Sequence, residues 1–305
     1  MTAALGKDRI WITEVAPRDG LQNQPVHLST GDKLQFIGLL ADAGLSSIEV
    51  TSFVSPRAVP QMADACELMA GLIAIGSGVR ASVLIPNLKG LDRAINAGAR
   101  EVAVVLAASE TMNLRNLNMS LEETAVECER MIQSAARAGV STRAYLAVAV
   151  ECPFEGTVDR SVLMRLIERM LAVGANEIVL ADTIGAASPS QIRRLLHDVS
   201  GTVRLDRTAC HFHDTRGFGV ANVWEALNAG VRRFDSSAGG LGGCPFAPGA
   251  AGNVATEDVV LLSQQCGLES GVELAALDLA VRHLEKALGA PLGGRSLEWF
   301  RRKRS

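Results

Sequence analysis

The sequence is poor in aromatic residues, which make up 4 % of its 305 residues and include a single tyrosine, Tyr145. That is too few for a platform on which nucleic-acid bases stack. It also lacks a surplus of cations: 30 Lys+Arg stand against 33 Asp+Glu, a formal charge of −3. A chain without excess positive charge is a poor partner for phosphate backbones, so nucleic-acid binding is not expected. No apolar run approaches the roughly 18 residues of a membrane span. The longest, such as Val102 to Ala108, are the size of a strand. The opening Met-Thr-Ala-Ala-Leu-Gly-Lys-Asp-Arg has no apolar signal-peptide core, so a cytoplasmic protein without membrane contact is expected. The six cysteines (Cys66, Cys128, Cys152, Cys210, Cys244, Cys266) never fall into a Cys-x-x-Cys pair. They read as reduced and mostly buried, not as a disulfide framework. Neither a Gly-Lys-Ser/Thr phosphate loop nor a Gly-x-Ser-x-Gly nucleophile elbow occurs.

What the sequence does have is apolar residues, 48 %, with only 21 % charged, which excludes intrinsic disorder and implies a large core. One phrase recurs along it: a helical stretch, a small residue with glycine, then a short β-rich run. Ala43-Gly44 precedes Ile48 to Val50, Ala97-Gly98 precedes Val102 to Val105, and Ala138-Gly139 precedes Tyr145 to Val148. Val173-Gly174 precedes Ile178 to Leu180, and Ala229-Gly230 precedes Val231 to Phe234. Glycine after a helix supplies the left-handed cap that turns the chain back. The runs that follow are apolar without alternation, as in parallel strands covered on both faces. Weaker copies at Ala81 to Ile85 and Arg207 to His211, with the opening Ile10 to Val15, bring the strands to eight. Helical patterns over Asp32 to Asp42, Leu121 to Arg137, Pro189 to Asp198 and Val220 to Asn228 lie between them. Eight β-α units of about 30 residues predict an α/β fold, a (β/α)8 TIM barrel. An open doubly wound sheet is the alternative, but Pro17-Arg18-Asp19-Gly20 after the first strand is no dinucleotide loop. One domain over residues 1–305 is expected. Its barrel would occupy about 10–260, with a helical extension and basic tail over about 261–305.

Chemistry in such a barrel gathers where strands end. Glu14, Arg18 and Asp19 follow strand one; Glu49 and Ser52 belong to strand two; Asn87 follows strand three. Asp182-Thr183 ends strand six, His211-Phe212-His213-Asp214 strand seven, and Asp235-Ser236-Ser237 strand eight. Polar residues at strand ends are often only where the chain meets water, which covers Ser236 and Asn87. It covers the histidines poorly. Only five occur, and His211 and His213, two apart on one strand, share a face. Two imidazoles and a carboxylate from another strand end are the parts of a divalent-metal site, with Asp19 the best-placed carboxylate. A core histidine pair is the plainer reading. Six of the 18 residues from Ser236 to Asn253 are glycine, and Cys244 sits at their centre beside Pro245. A flexible connector would explain the glycines. An anion-binding lid with a working thiol would explain the cysteine as well.

These motifs resemble 3-hydroxy-3-methylglutaryl-CoA lyase, within the metal-dependent lyase and condensing-enzyme superfamily. The resemblance runs from Glu14-Val15-Ala16-Pro17-Arg18-Asp19-Gly20-Leu21-Gln22-Asn23 through Thr51 to Pro56 and Pro86 to Gly90. It continues through Asp182 to Gly185, His211 to Thr215, Gly239 to Pro245 and Gly252 to Asp258. The Arg-Asp-Gly and His-x-His pieces mark the superfamily; the Gly-Leu-Gly-Gly-Cys-Pro loop points to the lyase branch. The resemblance implies that Asp19, His211, His213 and Asn253 hold Mg²⁺ or Mn²⁺, with Zn²⁺ disfavoured for want of a thiolate. It implies that Arg18 faces the thioester carbonyl and Cys244 serves as the lid thiol. Glu49, Asp182, Gln22 and Thr183 would line the same mouth, with Arg18, Gln22 and Thr183 touching substrate. The implied reaction is retro-Claisen cleavage of an acyl-CoA to acetyl-CoA and acetoacetate. His211, Asp182 and a metal-bound water are the candidates for taking the hydroxyl proton. Pairing into a homodimer is left open.

Two departures stand out, the first bearing on a CoA contact or local ion pair and the second on acyl-chain choice. Gln24-Pro25 stand where many members carry a glutamate and often a lysine, and Glu110 to Met119 follow the family loosely. A longer branched glutaryl derivative or citramalyl-CoA is therefore an alternative substrate. A Claisen-condensing acyltransferase or an aldolase is the alternative reaction, though neither accounts for the Cys244 loop. A non-enzymatic scaffold tethered through Arg301-Arg302-Lys303-Arg304 is the third reading, and the net charge argues against it.

Overall fold

The five glycines that close the repeat, Gly44, Gly98, Gly139, Gly174 and Gly230, all adopt positive φ, between 69° and 99°. We describe residues 8–243 and 252–304 of a computed structural model. Each of these glycines turns a helix back toward the next strand, and at Gly44 no other residue fits. A Cβ there would lie 2.1 Å from the Gly271 carbonyl oxygen.

The resulting strands are β1 (Trp11–Glu14), β2 (Ser47–Ser52), β3 (Arg80–Leu84), β4 (Glu101–Ala107) and β5 (Ser141–Ala147). They are followed by β6 (Glu177–Asp182), β7 (Thr208–Phe212) and β8 (Arg233–Ser236). All pair in parallel, in sequence order, and β8 closes on β1 with Trp11 opposite Arg233 and Glu14 opposite Ser236. This is the expected (β/α)8 barrel. β5 begins four residues earlier than the apolar run at Tyr145 suggested, because Thr142 and Arg143 are buried despite their polarity. A register shift between Glu49 and Thr51 marks a bulge in β2 against β3, a device that re-aims side chains at barrel rims.

The helices are α1 (Thr30–Asp42), α2 (Ala65–Ile75), α3 (Leu88–Asn96), α4 (Glu110–Leu117), α5 (Leu121–Arg137) and α6 (Arg160–Ala172). Then come α7 (Pro189–Val199), α8 (Gly219–Asn228), α9 (Thr256–Gln265), α10 (Leu274–Leu288) and α11 (Arg295–Arg304). Their starts follow local chemistry. Ser29 accepts from the Asp32 amide, Ser120 and Glu123 cap each other reciprocally, and Pro189 opens α7 where its missing N–H costs nothing. Asn87 caps α3 by accepting from the Gly90 amide, so its polar position after β3 has a structural explanation. The main core lies between strands and helices, around Phe36, Phe53, Phe234 and the aliphatic residues about them. A second apolar layer of Ala103, Tyr145, Val179 and Ala209 lies on the other face of the strands, inside the barrel.

Beyond the barrel, α10 packs on α1 and α11 on α9. The segment between α10 and α11 is tied to the turn after β8: the Gly293 amide donates to the Gly239 carbonyl at 3.0 Å. Glu257 accepts from the Gly239 and Gly294 amides, and Asp258 accepts from the amides of Arg295 and Ser296 at the start of α11. Cys128, Cys152 and Cys210 are buried as expected, Cys266 is partly so, and Cys66 is exposed on α2. α2 buries Ala65, Leu68, Met69 and Leu72, and Cys66 lies at the margin of that stripe, where its thiol is exposed. Among the described residues, no helix is long and apolar enough to cross a membrane.

Candidate active site

The chain leaving β1 closes into a single π-helical turn, Ala16–Gly20, in which the amides of Arg18, Asp19 and Gly20 all point to the Val15 carbonyl. Such turns recur at functional sites because they set consecutive side chains in unusual directions. Glu14 fixes this one. Its Oε1 accepts from the Ala16 and Ala238 amides at 2.8 and 2.9 Å, and its Oε2 accepts from the Thr256 hydroxyl at 2.6 Å. Glu14 is therefore a brace between the turn after β1 and the turn after β8, not a group lining the mouth. Burial pushes its carboxyl up to about 7 despite those three donors.

From this turn Arg18 reaches Glu49 on β2, through Nε at 2.7 Å and Nη2 at 2.6 Å, while its Nη1 donates to Asp19 Oδ1 at 2.7 Å. Gln22 donates to the same Asp19 oxygen at 2.9 Å. Burial weakens the Arg18 cation, but Glu49 and Asp19 more than restore it. Burial also pushes the Asp19 carboxyl up; Arg18 and the two nearby histidines outweigh it and hold that carboxyl below its ordinary range. Glu49 goes the other way, because burial outweighs the pull of Arg18. Its Oε1 has no hydrogen-bond partner among the described residues.

His211 and His213 project from β7 and its end toward the same point, with their Nε2 atoms 3.3 Å apart. One ligating atom from each of Asp19, His211 and His213 lies within 4.8 Å of the others. Asn253 joins them from the far side of the glycine-rich loop, where its backbone pairs with His213. Gly252 permits this, since a Cβ there would fall 2.0 Å from the Gly240 carbonyl oxygen. The Asn253 Nδ2 donates to Asp19 Oδ2 at 2.8 Å and to the Leu241 carbonyl at 3.2 Å. Its Oδ1 is buried with no partner among the described residues. Two imidazoles, a carboxylate held ionised and an unspent amide oxygen suit a divalent cation of the Mg²⁺ or Mn²⁺ kind.

Arg18, Asp19, Gln22, Glu49, His211, His213 and Asn253 thus form one cluster. Asp182 and Thr183 make their hydrogen bonds elsewhere. The Asp182 oxygens accept from the amides of Ala186 and Ala187, both at 3.0 Å, and burial pushes its carboxyl up to about 6. Thr183 Oγ1 accepts from the Val148 amide at 2.9 Å. Val148 has φ +52°, a left-handed conformation rare for a β-branched residue, and Thr183 pins it at the mouth. Cys244 lies outside the described residues.

Sequence reasoning missed what stands behind His211. Asp235 on β8, 1 % exposed, accepts from His211 Nδ1 at 3.2 Å. The same carboxylate accepts from Arg143 and Tyr145 on β5, and Arg143 also reaches Glu177 on β6. Burial would raise the Asp235 pKa, but Arg143 and His211 hold it well below the ordinary range. Period-two parity held the signal: Arg143 lies two residues before Tyr145, and a charge within a strand buried on both faces needs an inward partner.

The HMGL-like family model matches residues 9–283. The chain belongs to the HMGL-like family. It is 42 % identical over 293 residues to hydroxymethylglutaryl-CoA lyase YngG of Bacillus subtilis (strain 168), covering 96 % of this chain and 98 % of that protein. It is 45 % identical over 263 residues to the 3-hydroxy-3-methylglutaryl-CoA lyase, cytoplasmic, of Rattus norvegicus, covering 86 % and 76 %. An HMG-CoA lyase from Acinetobacter baumannii, solved in complex with coenzyme A and 3-methylmalate, superposes with a TM-score of 0.91 at 38 % identity, covering 98 % and 96 %.

Proposed function

We propose that this HMGL-like chain is a divalent-metal-dependent carbon–carbon lyase that cleaves 3-hydroxy-3-methylglutaryl-CoA to acetyl-CoA and acetoacetate. The observation that carries the reading is the convergence of Asp19, His211 and His213 ligand atoms within 4.8 Å, with Arg18 bonded to that same Asp19. The complex of the Acinetobacter relative with coenzyme A and a hydroxy-diacid supports an acyl-CoA substrate.

Asp19, His211, His213 and Asn253 Oδ1 would hold the cation. When bound, such a cation lowers the pKa of a coordinated hydroxyl and offsets charge on neighbouring oxygens. Cleavage requires the C3 hydroxyl to lose its proton, the C2–C3 bond to break, and its electron pair to pass into the enolate of acetyl-CoA. Asp182 has both oxygens committed to backbone amides, so it orders the turn after β6. Glu49 Oε1, buried and without a hydrogen-bond partner among the described residues, is the carboxylate oxygen left to take the hydroxyl proton. Of the five Arg18 N–H donors, three are engaged by Glu49 and Asp19. That leaves two for the thioester oxygen as negative charge develops on it, where a fixed guanidinium contributes most. The enolate carbon then takes a proton from the Cys244 thiol. Acetoacetate and acetyl-CoA leave, and the proton taken up by Glu49 returns through solvent to the Cys244 thiolate, which restores both groups.

A coupled assay over a panel of 3-hydroxyacyl-CoA thioesters, with EDTA and with Mg²⁺ or Mn²⁺ restored, tests this. Acetoacetate release from the 3-hydroxy-3-methylglutaryl thioester, abolished by EDTA and recovered with metal, is expected. Faster turnover of citramalyl-CoA or a longer branched glutaryl thioester would reassign the substrate. Full activity in EDTA with no metal retained would remove the metal from the reading.

A further inference from the structure

The barrel interior beneath the cluster carries a second constellation that the reaction above does not use. Asp235 is its centre. Its Oδ1 accepts from Arg143 Nη2 at 2.7 Å; its Oδ2 accepts from Tyr145 Oη at 2.6 Å and faces His211 Nδ1 at 3.2 Å. Arg143 Nη1 donates to Tyr145 Oη at 2.8 Å, and Arg143 Nε donates to Glu177 at 2.6 Å, so the guanidinium cannot swing away. The Tyr145 ring meets the His211 ring edge-on, 6.0 Å between centroids and 76° between planes. Strands β5, β6 and β8 thereby converge on one histidine of β7.

We propose that Asp235 is a positioning residue that fixes the tautomer of His211 and thereby presents its Nε2 lone pair to the metal held with Asp19 and His213. The inference rests on the metal reading of the site. Hydrogen-bond capacity decides the tautomer. A carboxylate gripped by a guanidinium only accepts, so the ring nitrogen facing it must be the one that carries hydrogen. The neutral ring then has its lone pair on Nε2, the atom 3.3 Å from His213 Nε2 and aimed at the cluster. Without that constraint Nε2–H could instead donate to His213, and the ring would turn a proton toward the cation. Arg143 and Tyr145 grip Asp235 and stop it from rotating, and Tyr145 meets the cluster through the edge of the His211 ring.

Asp235→Asn tests this with little change of volume. With its amide oxygen kept on Arg143, the new NH₂ faces His211 Nδ1 and donates, which moves the ring proton to Nε2. Mn²⁺ affinity measured by electron paramagnetic resonance should fall about 10–100-fold, the usual loss when a carboxylate behind a ligating histidine is removed. Long-range ¹H–¹⁵N spectra of metal-free, ¹⁵N-histidine-labelled protein should show His211 as the Nδ1–H tautomer in wild type and the Nε2–H tautomer in Asp235→Asn. Tyr145→Phe removes a hydrogen bond from the same carboxylate oxygen but leaves Asp235 facing His211. It should keep the wild-type tautomer and bind Mn²⁺ within about threefold of wild type, far from the loss expected of Asp235→Asn. A role confined to packing would instead weaken both variants alike, and equal losses overturn the proposal. So does an Asp235→Asn protein with wild-type affinity and an unchanged tautomer. If Asp235→Asn does not fold, the wild-type spectrum decides: Nδ1–H upholds the proposal and Nε2–H overturns it. Wild-type protein that binds no Mn²⁺ overturns the metal reading, and this inference with it.

Discussion

Replacing Glu14 with glutamine alters one atom of a side chain that is fully buried and joins the turn carrying Arg18 and Asp19 to the turn after β8. The glutamine oxygen can keep both backbone amides that Glu14 Oε1 now accepts. Its NH₂ can donate to Thr256 Oγ1, whose own hydroxyl can turn to Ser236 Oγ, 2.8 Å away. The variant should therefore fold, and its value lies in pH dependence. Burial raises the Glu14 carboxyl from 4.5 to about 7 in the folded chain. Between those values the folded state binds more protons than the unfolded state, so stability falls as pH rises through that window. Above it the cost is constant, about 3 kcal/mol for a shift of roughly 2.5 units at 1.36 kcal/mol each. Urea denaturation of both proteins from pH 5 to pH 8 should show Glu14→Gln gaining about 2.5 kcal/mol on wild type across that range, the rest of the shift lying below pH 5. Glu257, also raised to about 7 by burial, titrates in both proteins and enters the difference only through its charge repulsion with Glu14, the weakest of the named causes of the Glu14 shift. Two stability curves that run parallel from pH 5 to pH 8 would refute the reasoning, since Glu14 would then be ionised throughout and satisfied by its three donors.

Three further outcomes are expected. Arg18→Lys keeps the charge but loses the fork that grips Glu49 and Asp19; kcat should fall roughly 10²–10³-fold with KM little changed, whereas a raised KM at constant kcat would make Arg18 a ground-state anchor. Cys244→Ser raises the pKa of the proposed proton donor, so steady-state turnover should collapse while Mn²⁺ and substrate titrations stay near wild type; near-normal turnover would remove the thiol from the reaction. Thr183→Val leaves the amide of the strained Val148 without its acceptor, and should cost about 1–3 kcal/mol in urea denaturation without changing Mn²⁺ affinity. A loss of Mn²⁺ binding in that variant would link the mouth of β5 to the metal site.

The barrel was legible because its repeat is a backbone necessity. A helix that turns back into a parallel strand is helped by a residue at positive φ, and glycine at 44, 98, 139, 174 and 230 announces five of these returns, whereas α7 ends at Ser200 with φ −61°. Strand limits were less legible wherever the inward face is polar. Ser141 to Arg143 look like loop to any hydropathy reading, yet they pair with Glu101 to Ala103 inside the sheet. Cys66 misled for a similar reason: α2 is so rich in apolar residues that its exposed face reads as core, and Ile73 and Ile75 are also exposed on it.

The site divides along the same line. His211 and His213 were visible because two scarce residues sit at strand period, and Asp19 because it follows a strand end; each signal is local. Asp182 and Thr183 have the same local signature, but which partner a strand-end carboxylate finds depends on the turn beyond it, and here Ala186 and Ala187 claim both oxygens. Asp235 shows the limit from the other side. It lies 92 residues from Arg143 and 24 from His211, so nothing in its neighbourhood of sequence names either partner. Only closure of the barrel makes them neighbours. Yet burial in a parallel strand imposes a condition that sequence can state: an inward Asp, Arg or Glu must find its counter-charge within the same barrel. Arg143, Glu177 and Asp235 satisfy one another in that way, and the hydrogen bond left over after that pairing is the one that Asp235 accepts from His211.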